Sequence, residues 1–201
     1  MASVRLDRSR LCFIKDVLTA DQCQDIIDHF NNKKQSPAST HAYGINQPLN
    51  SKVRSGLVVL EKNTSFPHYD KIYKHVAQYL IQTGIITSEI VTSQFTIYST
   101  PGDHFQSHVD AAADIHTDDQ FFNDENKLRK VSVSIHLSPP SNYTGCKLQF
   151  PIAGKVNQWK SFDQDQGTML IFPSFFKHRV TELHSGTRYS MVLWYHGKNW
   201  T

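Results

Sequence analysis

His108 and Asp110 stand two residues apart in the run Gln106-Ser107-His108-Val109-Asp110. Along a β-strand, residues i and i+2 project to the same face, so one imidazole and one carboxylate can reach a single cation. A third donor must come from elsewhere in the fold. His178 is the best placed, because it opens a strand just after the turn at Pro173. Two histidines and one carboxylate on one face of an ion make the triad that suits non-haem Fe(II), with three positions left for a chelating co-substrate and for oxygen. Alone, the His-x-Asp pair is a weak signal, and the ordinary reading of His108 is a polar surface histidine.

Arg188 follows His178 by ten residues, across a turn at Ser185-Gly186. Alternation puts Arg188, Ser190, Val192 and Trp194 on one face of the last strand, and Tyr189, Met191, Leu193 and Tyr195 on the other. Both faces are therefore occupied, and one of them borders a cavity of mixed polarity. A guanidinium facing a cavity must meet an anion or bear a large desolvation cost. Its planar fork suits a carboxylate. No acidic residue is obvious beside it in the sequence, so a small diacid fits, with a structural salt bridge as the ordinary alternative. Strand 131–137 repeats the pattern: Val131, Val133, Ile135 and Leu137 face one way, Ser132, Ser134 and His136 the other. That polar face is either solvated or turned to the same cavity.

The elements that position these groups are mostly short strands. Strand-like runs at 90–99, 105–110, 130–138, 146–150, 167–172, 177–183 and 187–196 are separated by turn signals such as Pro101-Gly102, Pro139-Pro140 and Ser185-Gly186. Such spacing predicts a sandwich or jelly roll. Two helices precede it. Thr19 and Gln22 form a capping-box pattern ahead of Cys23, Ile26, Ile27 and Phe30, which predicts a helix over about 20–32. A second helix follows Pro67, with Tyr69, Ile72, Tyr73, Val76 and Leu80 as its apolar stripe and Gly84 as its stop. A strand is expected at 53–61. The polar stretch 33–52 reads as a lid-like loop, and 111–129 as an irregular insertion. The chain is expected to be one domain, 1–201, with supporting elements over 1–89 and a jelly-roll core over 90–197.

Composition narrows the classes. The 201 residues carry 21 Lys+Arg against 18 Asp+Glu, a net +3 that is too mild to predict nucleic-acid binding. Apolar residues at 39% exclude a wholly disordered chain, and no run approaches a membrane span. No secretory leader is read at the N-terminus. Cys12, Cys23 and Cys146 are too few and too scattered for a disulfide framework, which points to a reducing, cytoplasmic setting. Eleven histidines are the compositional oddity. His29 and His75 are expected at the surface and His184 in a turn, while His104 and His116 flank the His-x-Asp strand.

Taken together, His108-x-Asp110, His178, Arg188 and Tyr98 resemble the 2-oxoglutarate- and Fe(II)-dependent oxygenases, in their prolyl-4-hydroxylase-like branch. The stretch from Tyr98 through Gly102 and Phe105 to Asp110 is similar to that branch's tyrosine, glycine, aromatic, His-x-Asp pattern. Tyr143-Thr144-Gly145-Cys146-Lys147-Leu148-Gln149-Phe150 resembles its Gly-Gly-x-Leu-x-Phe strand, with Cys146 in place of the second glycine. Phe172-Pro173 and Gly186-Thr187-Arg188-Tyr189-Ser190 also match, so the resemblance covers about half the chain.

What the resemblance implies is a double-stranded β-helix, a form of jelly roll. Fe(II) would be bound by His108, Asp110 and His178. 2-Oxoglutarate would chelate the iron, with its far carboxylate on Arg188. Tyr98, Ser190, Leu148, Ser132 and Ser134 would line the co-substrate pocket, and Trp194 the cavity wall. His136, where related animal enzymes have a tyrosine, would touch the far carboxylate. The implied reaction consumes O2, converts 2-oxoglutarate to succinate and hydroxylates a C–H bond, with ascorbate as an accessory reductant. A peptidyl proline is the expected substrate, on a protein or peptide, with Arg54 as a substrate contact and no nucleic acid or membrane as partner. The alternatives are a nucleic-acid demethylase of the same superfamily and a non-oxygenase metal-binding jelly roll. Demethylases usually carry a second arginine six residues after the first, and here that position is Trp194.

Overall fold

The computed structural model describes residues 5–6, 10–38, 41–42, 45–46, 53–61, 64–89, 91–111 and 128–198. In chain order, the N-terminal part holds β1 (Arg5–Leu6), β2 (Cys12–Ile14), α1 (Ala20–Asn31), β3 (Ser36–Pro37), β4 (His41–Ala42), β5 (Ile45–Asn46), β6 (Leu57–Glu61) and α2 (Tyr69–Thr83). There follow β7 (Val91–Tyr98), β8 (Phe105–His108), β9 (Leu128–His136), β10 (Tyr143–Gly145), β11 (Leu148–Pro151) and β12 (Trp159–Ser161). The chain closes with β13 (Met169–Pro173), β14 (His178–Val180), β15 (Leu183–Gly186) and β16 (Arg188–Gly197). Half of the expected 33–52 loop falls outside the described residues, as do 112–127 with His116.

Helix α1 begins where its sequence says it should. Gln22 N–H donates to Thr19 Oγ1 and Thr19 N–H to Gln22 Oε1, so two of the helix's orphan donors are satisfied. Its stripe Cys23, Ile26, Ile27 and Phe30 is buried. Helix α2 buries Ile72, Val76 and Tyr79 and ends at Gly84 in the left-handed region. Tyr73, expected in the stripe, is 44% exposed, and Tyr79 takes the buried place. The positions 72, 76 and 79 recur at i, i+4, i+7 and leave 73 at the stripe's edge. The Tyr79 hydroxyl is satisfied by donating to the Arg10 carbonyl.

Among the described residues, eight strands form the major sheet in the order β1-β2-β13-β9-β16-β7-β6-β3, and four form the facing sheet β12-β11-β14-β8. This is the double-stranded β-helix, and N-terminal strands complete its larger sheet. Each central strand of the major sheet has two buried faces. Phe95, Ile97, Val133, Ile135, Met191 and Leu193 pack outward against the two helices, where Phe30 stacks on Phe95 at 5.1 Å. The opposite faces turn inward. There β16 pairs with both neighbours, so Ser190 lies beside Thr96 and His136, and Val192 beside Gln94 and Ser134. The polar face of strand 131–137 is therefore not solvated. Between the sheets, Leu148, Phe150, Leu170 and Phe172 form a second apolar cluster. Each such side chain contributes about 1.5–3 kcal/mol through burial.

Three expected strands are corrected. The run 105–110 stops at His108. The run 177–183 divides into β14 and β15. The run 53–61 begins at Leu57, with Arg54 making only an isolated bridge to Phe105.

Candidate active site

The facing sheet brings the two histidines together. His178 on β14 is the direct antiparallel partner of His108 on β8, and their rings lie 4.2 Å apart. Each imidazole is oriented from behind. His108 Nδ1 lies 2.7 Å from the Gln106 carbonyl, and His178 Nδ1 lies 2.9 Å from that of Phe176. A carbonyl can only accept, so Nδ1 carries the proton and each Nε2 keeps its lone pair for the site. Asp110 sits on the bend after β8, with its N–H bonded to the Ser174 carbonyl. Its Oδ1 is 3.3 Å from His108 Nε2 and its Oδ2 3.6 Å from His178 Nε2.

Three electron-pair donors thus converge, with one ligand atom from each residue within 4.8 Å of the others. Lone pairs so placed repel unless a cation lies among them. Two imidazoles and a carboxylate are the donor set suited to Fe(II). In the metal-free protein a proton shared among the three donors stands in for the cation: burial would raise the Asp110 carboxyl, but His178 and His108 outweigh it and hold the group below the usual carboxylate range. Burial lowers His178.

Arg188 lines the same cavity. It opens β16 opposite Tyr98 on β7 and is 2% exposed. Nη1 donates to Ser190 Oγ at 3.3 Å and Nη2 to His136 Nδ1 at 3.2 Å, while Nε has no acceptor. Among the described residues no carboxylate lies within ion-pairing distance of it. The guanidinium is 5.5 Å from the Tyr98 ring centre. Burial pushes the Tyr98 phenol up to about 12, so it remains a hydrogen-bond donor. Burial and the charge of Arg188 lower His136 well below 6.5 and keep it neutral.

The cavity between the two ends brings most of the expected residues together. Tyr98, Ser134, Leu148, Ser190 and Trp194 line it, as does Arg54. Arg54 is 8% exposed and sits 4.4 Å over the Phe105 ring, which stacks on His108 at 3.6 Å. Trp194 lies under the Arg129 guanidinium at 3.9 Å. His136 meets the Arg188 guanidinium through Nδ1 and is not among the residues lining the cavity. Ser132 bonds Asp110 directly, Oγ to Oδ2, at 2.8 Å.

Gln94, Thr96, Phe105 and Phe172 also line the cavity without having been anticipated. Gln94 and Thr96 alternate with Phe95 and Ile97, so the signal that marks Ser132 and Ser134 was available for them too. His104 and His184 border a separate outer groove of about 800 Å3. His29 and His75 are half-buried rather than fully exposed. Cys146 is buried, and burial pushes its thiol up, consistent with a packed residue. It has φ +48°, in the left-handed region that glycine tolerates best, so the departure from the glycine pattern keeps a glycine-like backbone.

Comparison with known proteins agrees with this geometry. A PKHD-type hydroxylase of Crocosphaera subtropica is 32% identical over 117 residues, 58% of this chain and 48% of that protein. Another from Cupriavidus pinatubonensis is 34% identical over 101 residues, 50% of this chain and 40% of that protein. The matches thus span about half the length of these relatives or less. Among solved structures, a Pseudomonas putida prolyl-4-hydroxylase superposes with a TM-score of 0.68 at 15% identity, covering 96% of this chain and 95% of that one. A prolyl hydroxylase from Trichoplax adhaerens, in complex with a hypoxia inducible factor oxygen degradation domain peptide fragment, gives 0.64 at 16% identity, covering 96% and 86%. At such identities the likeness is one of fold. The family model described as the 2OG-Fe(II) oxygenase superfamily matches residues 93–196, the stretch that carries both ends of the cavity, and the chain belongs to that superfamily.

Proposed function

We propose that this chain is a 2-oxoglutarate- and Fe(II)-dependent hydroxylase acting on a peptidyl proline, with His108, Asp110 and His178 as the iron ligands. The reading rests on one observation: a three-donor cluster with Asp110 and His178 buried, and a buried guanidinium with no carboxylate partner among the described residues, share one cavity. When bound, Fe(II) with 2-oxoglutarate supplies the activation of O2 that no side chain can provide.

The chain's own residues position and exclude. Arg188 takes the far carboxylate of 2-oxoglutarate, with its fork held by Ser190 and His136. The Tyr98 phenol donates a hydrogen bond to the same co-substrate. Leu148, Phe172 and Val180 line the cavity and keep water from its middle, which strengthens every polar contact inside. Arg54 and Trp194 border the part of the cavity that the peptide enters. The relatives are hydroxylases and the two structural neighbours are prolyl hydroxylases, and from these we take proline as the target. Among the described residues no helix is long and apolar enough to cross a membrane. Three free, buried cysteines fit a reducing, cytoplasmic setting. Ascorbate serves as the accessory reductant. Residues 1–201 act as one oxygenase domain.

The test is direct. Mixing the protein with Fe(II) and 2-oxoglutarate without oxygen should produce the visible charge-transfer band of the chelate. Admitting air with proline-rich peptides should then yield succinate and a one-oxygen mass gain on proline. His178→Ala should abolish both. Loss of the methyl group from methylated oligonucleotides, with release of formaldehyde, would instead reassign the substrate, and no band would overturn the reading.

A further inference from the structure

We propose that Ser132 is a positioning residue that decides how Asp110 meets the metal: its hydroxyl occupies Oδ2 and leaves Oδ1 as the single ligating oxygen. The inference rests on the reading of His108, Asp110 and His178 as metal ligands. Strand β8 ends at His108, so alternation does not carry Asp110 to the cavity face. A tertiary clamp does so instead. The Ser174 carbonyl accepts the N–H groups of both Asp110 and Ala111, at 2.9 and 3.0 Å, and the Ser174 N–H donates to the Lys130 carbonyl on β9 at 3.0 Å.

The side chains complete the clamp. Ser132 Oγ donates to Asp110 Oδ2 at 2.8 Å and lies 2.9 Å from Ser174 Oγ. A hydroxyl has one proton. With the Ser132 proton on the carboxylate, the Ser174 hydroxyl must be the donor to Ser132. The relay therefore runs from Ser174 through Ser132 to Oδ2. Both serines are fully buried, so no solvent can replace either partner. A hydrogen bond to an ionised carboxylate is among the stronger ones, and inside a low dielectric it fixes the carboxylate's rotation. Oδ1, the oxygen nearer His108 Nε2, carries no such bond. A carboxylate free to bind through both oxygens would occupy one of the positions that the co-substrate and oxygen need. The Ser132 hydrogen bond draws on the lone pairs of Oδ2 and so disfavours that second bond.

Co(II) is the probe, because its visible absorption responds to coordination number. Wild type, Ser132→Ala and Ser174→Ala would be titrated with Co(II), with circular dichroism as the check on folding. Ser132→Ala should weaken Co(II) binding roughly 10- to 100-fold and alter the energy and intensity of the visible bands, as the freed Oδ2 joins the metal. Ser174→Ala removes only the relayed donor and should shift both readouts less, in the same direction. Wild-type affinity together with wild-type bands in Ser132→Ala would overturn the proposal while leaving the ligand set intact. Should Ser132→Ala not fold, unchanged affinity and bands in Ser174→Ala would overturn it. If wild type takes up no Co(II), the underlying metal reading fails, and the proposal with it.

Discussion

Arg188 Nη2 donates to His136 Nδ1 at 3.2 Å inside the barrel, so the imidazole must be neutral to accept. Burial and the adjacent cation lower its pKa well below 6.5. The consequence for stability has a definite sign. Above pH 6.5, His136 is neutral in folded and unfolded chains alike and contributes no pH dependence. Below that value the unfolded chain takes up a proton that the folded chain refuses. Stability then falls as pH drops, by up to ~1.4 kcal/mol per pH unit for this one proton. His178, His29 and His75 are also lowered and act in the same sense. Urea unfolding of metal-free His136→Gln between about pH 5 and pH 7 should therefore show a shallower pH dependence than wild type, with a slope that is not zero. An unchanged slope would mean that His136 is protonated when folded.

A buried cation without a carboxylate costs stability until its ligand arrives. Arg188→Met replaces the charge with apolar volume, and should raise the unfolding free energy of the ligand-free protein by on the order of 1 kcal/mol. The same change should abolish the stabilisation that 2-oxoglutarate gives the metal-loaded protein. Thermal unfolding with and without 2-oxoglutarate, in the presence of Mn(II), measures both effects. A fall in ligand-free stability would show that Arg188 is already compensated in the fold.

How much of this was legible in the sequence depends on how local the signal is. The capping box at Thr19 and Gln22 is a local motif, and it formed as written. Period-two alternation is set by the strand backbone itself, so it put Ser190 and Trp194 on the cavity face with no tertiary information, and for Ser134 it left solvent and cavity both open until the sheet order was known. It reached Asp110 only by coincidence, because alternation ends at His108 and the bend is held by Ser174. No pattern around Ser174 announces that clamp, since it joins segments far apart in the chain. His136 has the expected face, and its contact with the guanidinium is one that parity could not announce. Parity fixes which side a residue takes and not what stands in front of it.

Arg54 joins the cavity to the segment that precedes β6. Its guanidinium packs on Phe105, and Phe105 on His108. Arg54→Ala removes a cation–π contact worth about 0.5–2 kcal/mol. With Arg54 as a substrate contact, the KM for a proline peptide should rise several-fold while the KM for 2-oxoglutarate stays unchanged. Steady-state kinetics with each substrate varied in turn separates the two. A rise for 2-oxoglutarate alone would move Arg54 to the co-substrate end.

Gly145 tests whether the barrel wall beside the guanidinium depends on glycine itself. Its φ is +76°, and a Cβ there would lie 2.2 Å from the Glu182 carbonyl oxygen. That oxygen cannot retreat freely, because it accepts the Cys146 N–H at 2.7 Å. Gly154 is the matched control, with φ +73° and open space where a Cβ would stand. Gly154→Ala therefore meets only left-handed backbone strain, roughly 1–2 kcal/mol. Gly145→Ala meets the same strain plus a clash with pinned backbone. In a domain of this size each kcal/mol lowers Tm by about 2–4 °C, so the Gly145 variant should melt well below the Gly154 variant. Tyr143 precedes Gly145 by two residues and lies beside Arg188. The Gly145 variant should therefore also bind 2-oxoglutarate more weakly, and the Gly154 variant should not. Equal melting of the two variants would mean that the β10–β15 pairing yields easily, and that the wall's shape does not hold Arg188 in place.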